Sequence, residues 1–216
     1  MYIFTAAALI ISIMYYGRNK NLRILTWYIA FCLLQDMASI YAYPFLPRGT
    51  FRVHLWHTIT IAFMFFEFTA CSLFILHYIS SPQRRRIIRI SSLLFLGLVI
   101  LAAVLTHPDF NDPYFLVPEC AFLVIPCLIY FYELFVTKNL RPLTDQPAFW
   151  VVTGILFLNA CDIPLLLTAR FMGKYFHEAF SINYILYIVL FALLIRAYLC
   201  PPENSQSNDP KLVKTP

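Results

Sequence analysis

The chain has 216 residues, 61% of them apolar, 18% aromatic and only 12% charged, with a net charge of +5. Soluble globular domains hold about 45–50% apolar and about 25% charged residues, so this composition and a mean hydropathy of +0.71 point to a bilayer and exclude soluble, disordered, collagen-like and disulfide-scaffold classes. The 16 Lys and Arg residues fall in short clusters between apolar runs. There they meet lipid headgroups, and nucleic acid is not expected as a partner.

Seven apolar segments follow in chain order, and they predict an all-α polytopic membrane protein, a bundle of seven transmembrane helices. The first, 1–16, reaches only about 24 Å at about 1.5 Å per residue. It needs local thinning, snorkelling by Arg18 and Lys20, or a start further upstream. No basic stretch precedes it and no small-x-small site follows, so a cleaved signal peptide is not expected. The second, 24–43, carries Asp36. The third, 53–79, is long enough to tilt and carries His57 and Glu67. The fourth, 87–105, follows the run Arg84, Arg85, Arg86, which reads as an orientation anchor. The fifth, 114–136, carries Glu119 and Glu133, the sixth, 148–168, Asn159 and Asp162, and the seventh, 179–199, Asn183. The polar tail, 200–216, is expected to be a disordered cytoplasmic extension.

Twelve of the sixteen basic residues collect on one side if the N-terminus lies outside. This bias predicts N-out/C-in topology, with the C-terminus cytoplasmic. Trp27, Trp56 and Trp150 fall near segment ends, where an interfacial belt places them. Five cysteines lie inside segments and read as small hydrophobes. Cys200 stands at the inner boundary, where a palmitoylated cysteine would stand.

An ionisable side chain at mid-bilayer costs at least about 2.5–3.5 kcal/mol, so each needs a reason. Counted along their segments, Asp36, Glu67, Glu119 and Asp162 form a layer between the midplane and the outer face. Helical spacing puts Tyr28, Cys32, Asp36, Ser39 and Tyr43 on one stripe and His57, Thr60, Met64, Glu67 and Cys71 on another. Asn159 sits beside Asp162, and Asn183 with Tyr187 extends the lining. Glu133, near the inner interface, is expected to meet Lys138 or Arg141. Pro126 and Pro164 free the carbonyls of Phe122 and Ala160, which then need a partner or a wet cavity. For each polar residue, interhelical glue worth about 0.6–2 kcal/mol is the alternative to a site.

The seventh segment holds no lysine for a retinal Schiff base and no histidine for a three-histidine zinc site. No G-x-S-x-G, P-loop or H-E-x-x-H motif occurs. No cofactor and no metal is expected.

In FMFFEFTACSLFILHYISSPQRRRII, PECAFLVIPCLIYFYELF and QPAFWVVTGILFLNACDIPLLL, the chain resembles a family of small seven-helix integral membrane proteins of Bacteroidota-type bacteria, often encoded near sensor histidine kinases. The shared features are Glu67 before a basic run, Glu119 opening the fifth segment, and Phe149-Trp150 leading to Gly154-Ile155-Leu156-Phe157, over roughly the last three quarters of the chain. The family has a small residue or Gly after the position of Ala160, where this chain has Cys161-Asp162. The resemblance implies a sensory or signalling-associated role and supplies no activity. The expected function, with the location that the resemblance implies, is a non-enzymatic heptahelical sensor or receptor-like module of a bacterial inner membrane. A small ligand enters from the outer side toward Glu67, Glu119, Asp36, Asp162, His57, Asn159 and Asn183, and a separate partner such as a sensor histidine kinase reads the response. The alternatives are a proton- or cation-coupled transporter using the same acids and an intramembrane metal-dependent hydrolase.

Overall fold

The computed structural model describes residues 2–17, 20–42, 50–105, 116–136, 142–172 and 176–201, except for the side chains at 39, 42, 50–57, 102–105, 169–172 and 176–180. Every regular element among them is helical. The α-helices are α1 (Tyr2–Met14), α2 (Arg23–Met37), α3 (Thr50–Tyr78), α4 (Pro82–Leu105), α5 (Leu116–Val136), α6 (Pro147–Met172) and α7 (Phe176–Leu199). Lys20–Leu22 and Leu143–Asp145 form short 3-10 turns. The proposed tail beyond residue 201 lies outside the described residues.

The helices cover the apolar segments with two informative differences. α4 begins five residues before its apolar run and takes Arg84, Arg85 and Arg86 into its first turns. Pro82 is pre-shaped for a first helical position, arginine is a good helix former, and the Arg85 amide already donates to the Ser81 carbonyl at 3.0 Å. The second difference is that α2 does not continue as an α-helix. After Met37 it widens into a π-helical turn over Ala38–Ala42, a feature frequent at functional sites.

Neighbouring helices in sequence are neighbours in space, and α1 packs on α7, so the seven helices close into a ring. α3 also touches α5 and α6 and leans into the interior. Close approach of α6 and α7 depends on Gly154: a Cβ there would meet Leu190 Cδ1 at 3.0 Å and Leu193 Cβ at 3.5 Å. Small residues serve this purpose in helix pairs with no aqueous driving force between them. Further along α7, the buried Tyr198 hydroxyl donates to the Leu22 carbonyl at 3.0 Å and pairs with Thr26 Oγ1 at 2.8 Å. This ties the end of α7 to the start of α2. Phe68 of α3 and Phe95 of α4 pack with ring centroids 4.1 Å apart, which sets the register of that antiparallel pair.

The outside of the ring is apolar. Ile3 is 82% exposed, Phe135 74% and Leu93 69%, with Met14, Leu34, Leu98 and Ile185 also on the surface. Among the described residues, 58–78, 116–136, 147–168 and 181–199 are long and apolar enough to cross a membrane. α1 is apolar but short. An apolar exterior with such spans fits an integral membrane protein.

Candidate functional site

Three carboxyls meet in the interior. Glu67 comes from the middle of α3, Glu119 from the first turn of α5 and Asp162 from α6, and all three are buried. They line one cavity of about 350 Å³. Each position has a local cause. Thr60, Met64 and Glu67 follow one another at helical spacing and all face the cavity. Glu119 stands where the free amides of a helix start favour an acid. Asp162 lies two residues before Pro164, in a helix that has lost an amide at that point.

The carboxyls are unequally satisfied. Glu67 Oε1 accepts a bond from the Tyr28 hydroxyl at 2.8 Å, across from α2. Asp162 Oδ1 accepts one from Asn183 Nδ2 at 3.2 Å, across from α7. Glu119 Oε1 is buried and has no hydrogen-bond partner. Asn159 lines the cavity with its amide nitrogen held by its own helix, donating to the Ile155 carbonyl at 2.8 Å. Gln35 and Thr60 add neutral polar groups, and Phe63, Tyr184 and Tyr187 add aromatic wall. No lysine, arginine or histidine is among the described lining residues. Buried acids without a cation beside them are costly, and a positive ligand would supply what this wall lacks.

The expected site is only partly assembled. Glu67, Glu119, Asp162, Asn159 and Asn183 do come together around the cavity. Asp36 does not line it. It is half-buried and accepts a long 3.5 Å bond from Thr5 Oγ1 of α1. The inward face of α2 runs through Tyr28, Cys32 and Gln35, so the predicted stripe holds at Tyr28 and Cys32 and departs at Asp36, about 100° of helix rotation from Gln35. The His57 side chain lies outside the described residues. Gln35 and Tyr184 enter the wall without having been singled out as site residues, Tyr187 lines it beside Asn183, and Tyr28 is the donor that holds Glu67. The signal for Gln35 was present: it stands seven residues after Tyr28.

A second polar cluster occupies the other end of the bundle. Glu133 Oε1 accepts bonds from the Ser80 and Ser81 amides at 2.6 and 3.3 Å, and its Oε2 lies 3.2 Å from Arg84 Nη1. The Arg84 guanidinium also sits over the Tyr132 ring, 4.8 Å from its centre. Glu133 thus clasps the α3–α4 turn to the end of α5. The expected partners Lys138 and Arg141 lie outside the described residues. Nearby, Cys200 is buried, with its thiol against the Thr144 and Arg196 carbonyls. That placement does not present it for acylation.

Fold and site together define an all-helical, membrane-type protein with an internal acidic cavity. No family model, no curated protein and no solved structure matches the chain. Among the described residues, no three His, Cys, Asp or Glu side chains gather as a metal site.

Proposed function

We propose that the protein is a non-enzymatic heptahelical receptor or sensor module that binds a small organic cation in its acidic cavity. The observation that carries this reading is the convergence of Glu67, Glu119 and Asp162, from three helices, on one cavity without a basic residue in its described wall. The volume, about 350 Å³, suits a small ligand, and the aromatic wall suits an ammonium group.

In the proposed arrangement all seven helices cross the inner membrane, N-terminus out and C-terminus in. The basic bias supports this direction, and exposed apolar side chains on α1, α2 and α4 support lipid around those helices as well. The cavity then lies toward the outer face and the Glu133 clasp toward the cytoplasm, about 21 Å apart along α5 at about 1.5 Å per residue. Between them Tyr28, Cys71, Phe74, Cys127 and Phe191 are buried in dense packing. A carrier needs alternating access through that zone, whereas a receptor needs only small helix shifts. A cation drawing Glu119 toward Glu67 would move α5, and α5 ends at the turn that a cytoplasmic partner such as a kinase can read.

The test is thermal stabilisation of the purified full chain by tetramethylammonium, choline or butylammonium, with neutral isosteres as controls. The wild type is expected to gain melting temperature with a cation and not with its isostere. Glu67→Gln and Glu119→Gln keep the hydrogen-bonding shape and lose the charge, so both should fold and lose the response. Equal responses in wild type and both variants would overturn the acidic-site reading.

A further inference from the structure

A groove of about 320 Å³ runs along the outside of the ring between α3 and α4. Its walls are Phe68, Leu73 and Leu76 from α3 and Leu93 and Leu96 from α4, with Arg89 at one end. Three of its features are unusual together. First, it opens outward: Leu73 and Leu93 are exposed, so the apolar trough faces the surroundings of the bundle. Second, its charge is one-sided: among the described lining residues no acidic side chain stands beside Arg89, and Arg86 stands one turn before it. Third, Ser72 lines the groove with a buried hydroxyl, 3% exposed as a residue, that has no hydrogen-bond partner.

We propose that this groove is a binding site for an anionic phospholipid, with the phosphate on Arg89 and an acyl chain along the Leu73, Leu93 and Leu96 wall. The packing of Phe68 on Phe95 fixes the antiparallel register and places Ser72 level with Ser91, so that Ser72 and Ser92 share the groove wall two to three residues deeper than Arg89. Two to three residues are about 3–4.5 Å along a helix, the offset between a phospholipid's phosphate and its ester carbonyls. The Ser92 hydroxyl is engaged with the Ile88 carbonyl at 2.8 Å, which leaves Ser72 to donate to an ester oxygen. A zwitterionic lipid fills the trough equally well but brings a choline that Arg89 repels. A second copy of an apolar helix would bury Arg89 against nothing negative. An anionic lipid satisfies the trough, the hydroxyl and the charge.

Native mass spectrometry of the full chain, offered equal amounts of phosphatidylglycerol and phosphatidylcholine with identical acyl chains, tests the assignment. The wild type should retain phosphatidylglycerol preferentially. Arg89→Gln should weaken that preference about fivefold, the weight of one basic residue near an anionic surface, while phosphatidylcholine adducts persist. Arg86→Gln, the same charge change off the groove wall, should keep the preference, and Leu93→Trp, which fills the trough, should reduce both lipids. Melting of each variant in lipid-free detergent serves as the folding control. Equal retention of the two lipids by wild type, an unchanged preference in Arg89→Gln, or an equal loss in Arg86→Gln would overturn the proposal.

Discussion

Glu133 shows most clearly what one buried charge does in this protein. Its carboxylate is only 6% exposed at residue level, yet it accepts two backbone amides and faces a guanidinium. Those amides belong to the α3–α4 turn and would otherwise be unmatched at a helix end. Glu133→Gln leaves one acceptor for the amides but turns an amide group toward Arg84. Hydrogen bonds to a charged group are worth about 1.5–3 kcal/mol, so this variant is expected to lose about that much stability, read by denaturant unfolding in micelles. Arg84→Ala added to Glu133→Gln should then cost little more, because the two act as one unit. Fully additive losses would show that they are separate. The sequence marked Glu133 as an inner-end acid and pointed for partners to its chain neighbours Lys138 and Arg141, which lie outside the described residues. Its observed partners are more than forty residues away, and only the packing of α5 on α3 and α4 brings them together.

Helix positions were legible because each is a long apolar run, and hydropathy reports length directly. Helix rotation was less so. Glu67 was placed correctly since Thr60, Met64 and Glu67 share a face, but on α2 both Gln35 and Asp36 fit an inward polar stripe. The choice between them rests on which neighbour α2 presses against, a tertiary fact. The π-helical turn at Ala38–Ala42 contains no proline or glycine of its own, and Pro44 two residues on marks a helix end without marking a π turn. Gly154 gives the helix scale its own prediction. Its hydrogen lets α6 approach α7 to the point where a Cβ would sit 3.0 Å from Leu190 Cδ1. Gly154→Ala asks the flexible end of Leu190 to yield by a few tenths of an ångström and should be mild. Gly154→Leu must push the helices apart, and overpacking of that kind costs about 1–3 kcal/mol. A lowered melting temperature in the leucine variant alone is expected. A wild-type melt in Gly154→Leu would mean that the two helices do not pack this closely.

At the scale of the molecule, the ring has two unlike ends. One gathers carboxyls around an empty volume, and the other gathers arginines around a clasp. Core side chains fill the space between, with Cys127, Phe191 and Val152 fully buried. This asymmetry favours a cavity approached from one side, and it can be probed with cysteine chemistry. The native thiols complicate the background at Cys120, which lines the cavity, and at Cys161, which is partly exposed. Cys32, Cys71 and Cys127 are buried in the core. In a Cys120→Ser, Cys161→Ser background, Gln35→Cys and Thr60→Cys place new thiols on the cavity wall, from α2 and α3. A charged methanethiosulfonate applied to intact cells should modify both, and tetramethylammonium should slow the reaction by occupying the same volume. The same reagent applied to inside-out vesicles should leave both unmodified, since the packed zone separates them from that face. Labelling from the cytoplasmic side alone would invert the proposed topology. Labelling from either side, with the cation shifting access from one to the other, would mean that the packed zone opens, and the protein would then be a carrier using Glu67 and Glu119 as its coupling sites.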